Sequence, residues 1–117
     1  MSQLTIYHNN RCSKSRQTLQ LIEQQGIKPT VIDYQKNPPN HSELATIIQQ
    51  LGFTSARQLM RKGEDEYQAL GLANTLLNQD QLIDAMISHP KLIERPIVCY
   101  KGKTVIGRPP ENILTLL

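Results

Sequence analysis

The sequence LTIYHNNRCSKSRQTLQLIEQQGIKPTVIDY, residues 4–34, contains the pattern on which the fold prediction rests. Residues 4–8 alternate in polarity as a β-strand does, and residues 30–34 are β-branched and apolar between proline-containing turns. Between them, residues 13–25 carry an apolar stripe at helical spacing, and Gly26 follows as a helix-ending residue. This strand–helix–strand unit predicts two parallel strands joined by a right-handed crossover.

The middle of the chain is predicted to be helical. Residues 44–51 repeat apolar side chains at helical spacing, and Asn40 with Glu43 gives the pattern of a capping box. Further helices are expected at 55–61, at 64–70, and from the residue after Asn78, with Gln81 in the capping position, up to a stop at His89-Pro90.

The end of the chain returns to strands. Residues 96–100 and 104–106 predict an antiparallel hairpin, and residues 111–117 are long enough only for a short helix. The order of elements predicts one α/β domain, residues 1–117, with a thioredoxin-like mixed four-stranded sheet. A helical insertion, about residues 40–90, is expected between the second and third strands.

Composition narrows the class of protein. The 117 residues are 38% hydrophobic and 20% charged, with a net charge of +3 from scattered Lys and Arg residues and with no Trp. No apolar run approaches the roughly 18 residues of a membrane span, and no signal-peptide pattern opens the sequence. Two cysteines do not make a disulfide framework. We expect a cytoplasmic, monomeric protein that binds neither nucleic acid nor membrane.

Cys12 is the candidate nucleophile. It stands between the first strand and the first helix, where unpaired backbone N–H groups and the helix dipole favour a thiolate. An ordinary cysteine is only about 3% thiolate at pH 7, so a further cation is expected, and His8 and Arg16 are the candidates. The alternative, that Cys12 is a small buried hydrophobe, is disfavoured by the polar residues that flank it.

Cys99 is expected to be a core residue rather than a partner of Cys12. In thioredoxin-like folds the residue before the strand-leading proline faces the reactive cysteine, and here that residue is Arg95. Cys99 lies three residues beyond Pro96, about 10 Å farther along the strand. Because Ser15 occupies the second position of a possible dithiol motif, a disulfide of Cys12 requires an outside thiol. No His/Cys cluster has metal-ligand spacing, so no metal is expected.

A series of short motifs runs along nearly the whole chain in the order found in one family. Through them the chain resembles the glutaredoxin-coupled arsenate reductases, and it is most similar to short bacterial members with an Arg-Cys-Ser-Lys-Ser active-site segment. The motifs are His8-x3-Cys12-x3-Arg16, Asn37-Pro38-Pro39, Leu59-Met60-Arg61-Lys62, Gln81-Leu82-Ile83-Asp84, His89-Pro90, Glu94-Arg95-Pro96-Ile97-Val98 and Gly107-Arg108-Pro109.

The resemblance implies a specific reaction. Cys12 would attack arsenate, and glutathione, the reducing co-substrate, would then reduce the arsenic and leave a mixed disulfide on Cys12. Glutaredoxin would resolve that disulfide, and no bound cofactor is implied. His8 matches the residue that helps lower the thiol pKa, and Ser15 matches a serine that supports the thiolate. The family's oxyanion-binding arginines match Arg61, Arg95 and Arg108, and Arg16 is a further candidate for binding substrate.

The active-site segment departs from that of the plasmid-type reductases, which have Ala before the cysteine and Gly-Thr-Ser after it. Here Arg11 precedes Cys12, and Ser13-Lys14-Ser15 follows. These cations suit either oxyanion capture or a different acidic thiol substrate. A glutathione-linked thiol oxidoreductase of another substrate is therefore the alternative function. A redox-type regulator that binds RNA polymerase is a further alternative, but such proteins carry a Cys-x-x-Cys switch that this chain lacks.

Overall fold

The computed structural model describes residues 3–117 and contains a four-stranded sheet in the order β2-β1-β3-β4. The strands are β1 (Thr5–His8), β2 (Thr30–Asp33), β3 (Ile97–Tyr100) and β4 (Lys103–Ile106). Strand β1 pairs in parallel with β2 and antiparallel with β3, and β3 pairs antiparallel with β4. The prediction of a mixed four-stranded sheet is confirmed.

The helical segments also follow the predicted order. The α-helices are α1 (Ser13–Gln24), α2 (His41–Gln50), α3 (Asp65–Ala69) and α4 (Gln79–Ser88). Three 3₁₀ helices span Ala56–Leu59, Pro90–Leu92 and Pro110–Leu116. The predicted helix at 55–61 is thus shorter and tighter than expected. The last segment is 3₁₀ as well, and its first residue is Pro110, which is tolerated at the first position of a helix.

The chain forms two compact units. One consists of the described residues up to Asn37 together with Arg95–Leu117, and the other is Pro38–Glu94, which includes the predicted insertion of about 40–90. The first unit contains the whole sheet, α1 and the last 3₁₀ helix. Its core is built from fully or nearly fully buried apolar side chains, namely Leu4, Ile6, Ile22, Val98, Ile113 and Leu116.

The second unit is helical, and its sequence specifies where two of its helices begin. At α2, the side chain of Asn40 accepts from the backbone N–H of Glu43, whose carboxylate accepts from the N–H of Asn40. Asn78 and Gln81 form the same reciprocal pair at the start of α4. Such a capping box satisfies two N–H groups that a helix start leaves open. Both sequence-predicted caps are confirmed, and α2 packs against α4.

Within the first unit, Thr18 of α1 joins two distant segments. The side chain of Thr18 is fully buried, and its Oγ1 lies 2.8 Å from the carbonyl oxygen of Lys14 and 3.2 Å from that of Gly107. The N–H of Gly107 in turn donates to the carbonyl oxygen of Pro96 at 2.9 Å. Helix α1 is therefore held against the segments that carry Arg95 and Arg108.

Among residues 3–117, no helix is both long enough and apolar enough to cross a membrane.

Replacing Gly107 with alanine tests this contact. A Cβ atom at Gly107 would lie 2.5 Å from Thr18 Oγ1, 2.8 Å from Thr18 Cγ2 and 3.0 Å from Pro96 Cγ. Overpacking of this kind costs about 1–3 kcal/mol, so we expect Gly107→Ala to lower the free energy of unfolding by that amount in urea. Gly63→Ala is the matched control, because a Cβ there meets nothing within 4 Å, and it should change stability by less than about 0.5 kcal/mol.

A double-mutant cycle identifies the obstacle. Thr18 supplies the two closest atoms to the added Cβ, so Gly107→Ala should cost less in a Thr18→Ala background than in the wild type. Equal costs in the two backgrounds would show that the Thr18 side chain is not what excludes a larger residue at position 107.

Candidate active site

Cys12 occupies the N-cap position of α1, in the turn that follows β1. Its backbone is extended (φ −97°, ψ 122°), and its N–H donates to the carbonyl oxygen of Asn9 at 3.0 Å. The side chain is partly exposed, and the thiol is free. The sulfur therefore stands at the positive end of a 12-residue helix and is accessible to a reactant.

The surroundings of Cys12 lower its pKa. Partial burial alone raises the pKa of a thiol, because it disfavours the charged thiolate. At Cys12 this effect is outweighed by the backbone N–H of Ser15, by the Arg95 guanidinium and by the backbone N–H of Lys14. The Cys12 side chain makes no capping hydrogen bond at the start of α1, but these donors still favour the thiolate. The result is an activated nucleophile.

His8 is buried at the end of β1 and bonded to Ser15. The Oγ of Ser15 lies 2.7 Å from His8 Nδ1, and it also accepts from the N–H of Asn9 at 3.0 Å. Burial lowers the pKa of His8; Asp33 raises it less strongly, and Arg16 lowers it further. The lowered pKa favours the uncharged ring. Both side chains are buried, and which of them donates in this hydrogen bond depends on the ring nitrogen of His8 that carries the proton.

The surroundings of His8 and Arg16 bear on the expectation that one of them is the cation beside the thiolate. Burial lowers the pKa of His8 and so works against a positive charge on its ring, although Asp33 opposes this effect. Its hydrogen bond instead fixes Ser15, whose backbone N–H acts on the sulfur. Arg16, the other candidate cation, directs its Nη1 at the carbonyl oxygen of Asn10 at 2.8 Å. The cation that acts on Cys12 is Arg95.

The predicted oxyanion-binding arginines lie in different settings. Arg95 is half-buried and precedes Pro96, and the peptide bond between them is cis. Arg108 also precedes a cis proline, and its guanidinium-bearing side chain is exposed. Arg61 belongs to the other unit, where its Nη1 lies 3.5 Å from a carboxylate oxygen of Glu94 and its Nε lies 3.8 Å from one of Glu64.

Cys99 lies at the far end of the sheet from the Cys12 turn. It is opposite Thr5, the first residue of β1, whereas Cys12 follows the last residue, His8. The separation along the strand is about 10 Å, more than a disulfide can span. Burial raises the pKa of Cys99, whose Sγ accepts from the hydroxyl of Thr104 at 3.3 Å. Cys99 is thus a half-buried free thiol in a setting that disfavours its thiolate.

Two residues that shape the site were not identified from the sequence. Asn9 organises the turn, since its Oδ1 accepts from the N–H of Arg11 while its carbonyl oxygen accepts from that of Cys12. Asp33 pairs in register with His8 and acts on its pKa. The tendency of asparagine to bond the backbone two residues on could have indicated the first role. The predicted parallel pairing could have indicated the second.

These features define a thioredoxin-like protein with one activated cysteine at the start of its first helix. Comparison with known protein families is more specific. The family model described as the ArsC family matches residues 7–116, and the chain belongs to this family.

Individual relatives match over nearly their full lengths. The chain is 49% identical to an arsenate reductase of Neisseria meningitidis serogroup B, covering 100% of both chains. It is also 49% identical to the uncharacterized protein YfgD of Escherichia coli K12, covering 98% of this chain and 97% of that one. A solved structure of an arsenate reductase from Vibrio cholerae is 50% identical, with a TM-score of 0.95 and 98% of each chain covered.

The influence of Arg95 on the thiol can be measured directly. Removing its positive charge should raise the pKa of Cys12, so that alkylation by iodoacetamide becomes fast only at higher pH. A half-exposed charge pair is worth up to about 1 kcal/mol, so we expect Arg95→Ala to slow alkylation of Cys12 at pH 7 by about fivefold. Modification of Cys12 is followed by mass spectrometry of its peptide, which separates it from Cys99.

Lys103→Ala is the matched control for that measurement. It removes one exposed cation of the same unit at the start of β4 and should leave the pH profile of Cys12 unchanged. If Arg95→Ala and Lys103→Ala give the same profile as the wild type, the guanidinium does not stabilise the thiolate.

Proposed function

We propose that this protein is an arsenate reductase that uses Cys12 as its nucleophile, glutathione as its reductant and glutaredoxin as the partner that regenerates it. The observation that carries the proposal is the lowered pKa of Cys12, produced by helix N–H groups and Arg95. Membership of the ArsC family and similarity to relatives named arsenate reductase support the choice of substrate.

The first step is attack on arsenate. The Cys12 thiolate forms a sulfur–arsenic bond, and an oxygen of arsenate leaves as water after it takes up protons. A thiolate approaches an anion only when positive groups offset the repulsion between them. Arg95 serves both partners in this step, since it stabilises the thiolate beforehand and can donate to an arsenate oxygen as the new bond forms.

The second step is reduction of the arsenic. A glutathione thiolate attacks the sulfur of Cys12, the sulfur–arsenic bond breaks, and its electron pair stays with arsenic, which leaves as arsenite. The two electrons that arsenic gains come from the two sulfurs, which become the Cys12–glutathione mixed disulfide. Because Ser15 carries a hydroxyl where a dithiol motif would carry a second thiol, that disulfide is passed to an outside thiol, here proposed to be glutaredoxin.

Arginine side chains are proposed to bind the oxyanion. Arg95, Arg108 and Arg61 match the family's arginines, and the planar guanidinium suits paired contacts with a tetrahedral oxyanion. The Arg61 guanidinium lies within 4 Å of two carboxylates, which hold its side chain in place before any ligand binds. Arg16 is proposed as a supporting cation at the first turn of α1. The reaction requires a compartment that contains reduced glutathione, so the proposal includes a cytoplasmic location. It also includes a monomeric protein.

Replacing Cys12 tests the reaction itself. Purified wild-type protein with glutathione, glutaredoxin and saturating arsenate should produce arsenite and oxidise two glutathione thiols for each arsenite formed. Cys12→Ser should reduce this rate to background, because a serine hydroxyl is not ionised at neutral pH. Cys99→Ser is the matched control and should retain most of the activity. No arsenite from the wild-type protein would overturn the assignment, and glutathionylation of Cys12 without arsenate dependence would indicate the thiol oxidoreductase alternative.

Replacing the arginines tests substrate binding. Arg95→Ala and Arg61→Ala should each raise the KM for arsenate by about 10-fold or more while the unfolding midpoint stays near that of the wild type, because charge-assisted hydrogen bonds contribute about 1.5–3 kcal/mol. Arg57→Lys provides a comparison, since Arg57 donates to the carbonyl oxygens of Leu72 and Asn74 and has no proposed substrate role. Unchanged arsenate kinetics in both alanine variants would show that these residues have another role.

A further inference from the structure

A polar cleft lies beside the Cys12 turn. It encloses about 280 Å³ and is formed by residues at or just beyond the carboxyl ends of the adjacent parallel strands β1 and β2. Ligands of α/β proteins commonly bind outside the carboxyl ends of parallel strands, and this cleft has that position. Its volume is close to the lower end of the range for small-ligand sites, about 300–1,000 Å³. The lining residues are Asn9, Asn10, Arg11, Asp33, Gln35 and Lys36.

Hydrogen bonds hold both walls of the cleft in place. On one wall, Asn9 accepts from the N–H of Arg11, and Arg16 donates to the carbonyl oxygen of Asn10. On the other, the carboxylate of Asp33 accepts from the N–H of Gln35 at 3.1 Å, and its carbonyl oxygen accepts from the N–H of Lys36 at 3.1 Å. The backbone is thus ordered before a ligand enters, which reduces the entropic cost of binding.

The charges of the cleft select the kind of ligand. Arg11 and Lys36 are exposed cations, and Asp33 is an exposed anion in the same lining. A simple oxyanion would be attracted by the two cations and repelled by Asp33. A molecule with two carboxylates and one ammonium group satisfies all three charges. The side-chain amides of Asn9, Asn10 and Gln35 can each donate to and accept from peptide groups.

The cleft and the nucleophile belong to one turn. Arg11 directly precedes Cys12, and the N–H of Cys12 donates to the carbonyl oxygen of Asn9. From these observations we infer that the cleft binds the thiol co-substrate, a small peptide of glutathione chemistry, with its carboxylates at Arg11 and Lys36 and its ammonium group at Asp33. This inference rests on the proposed function for the identity of the reductant, and it extends that function by assigning the reductant a site.

Thiol–disulfide exchange with glutathione disulfide tests the site without arsenate. The Cys12 thiolate attacks one sulfur of glutathione disulfide, the disulfide bond breaks, and one glutathione leaves as a thiolate that takes up a proton. Cys12 is oxidised to the mixed disulfide, and the departing glutathione is reduced. The uncharged hydroxyethyl disulfide reports the intrinsic reactivity of Cys12 in the same protein. The ratio of the two rate constants therefore measures recognition of the glutathione charges.

The experiment compares two doubly substituted proteins in a Cys99→Ser background. Arg11→Ala/Lys36→Ala removes the cleft cations, and Lys28→Ala/Lys103→Ala removes two exposed cations of the same unit that do not line the cleft. Both change the net charge equally. We expect the cleft variant to lower the ratio by about fivefold to tenfold and the control to lower it by less than about twofold. Equal ratios in the two variants would overturn the inference.

Asp33→Asn distinguishes a ligand with an ammonium group from a simple anion, because the two ligands predict opposite changes in the ratio of rate constants. If Asp33 binds the ammonium group of glutathione, its neutralisation lowers the ratio. If the cleft is only a site for anions, removal of the negative charge raises the ratio, and a raised or unchanged ratio would overturn the assignment. Failure to reduce arsenate would refute the proposed function and leave this exchange measurement interpretable, so the two proposals can fail separately.

Discussion

The candidate active site depends on one buried contact, the hydrogen bond and close packing between Thr18 and Gly107. Thr18 is on the helix whose first turn holds Cys12, and Gly107 bonds to the carbonyl of Pro96 and precedes Arg108. Three segments far apart in sequence are thereby held together by fully buried atoms. Because packed interiors deform little, the distance between the thiol and Arg95 is set by the core and not by exposed side chains.

The Cys12 thiolate is stabilised by direct interactions and by one indirect interaction. The direct interactions come from helix N–H groups and Arg95, which together outweigh the unfavourable effect of burial on the thiolate. The indirect interaction is the buried hydrogen bond between His8 and Ser15, which positions the backbone N–H that acts on Cys12. An uncharged pair suits that position, since burial makes a positive charge on His8 costly and the attraction of the exposed Asp33 offsets that cost only in part.

Much of the fold followed from local patterns in the sequence. The strand–helix–strand unit, the capping boxes at Asn40 and Asn78, and the final hairpin all depend on residues close together in the chain. The Thr18–Gly107 contact could not be predicted in this way, because it joins residues 89 positions apart, and Thr18 by itself only fits a helical stripe. Similarly, the order of predicted elements put Cys12 at a strand-to-helix turn and Arg95 before the proline that leads a strand, but the lowered pKa of His8 depends on its burial, which local sequence does not specify.

The serine at position 15 has a kinetic consequence. A protein with two neighbouring thiols closes its own disulfide in a first-order step whose rate does not depend on the surrounding solution. Position 15 carries a hydroxyl, and Cys99 lies on β3 opposite the first residue of β1, far from Cys12. Oxidised Cys12 can therefore be reduced only by a thiol of another molecule. The lifetime of the oxidised state is then inversely proportional to the concentration of external reductant. Turnover of this protein would therefore slow in proportion as the thiol supply of its surroundings falls.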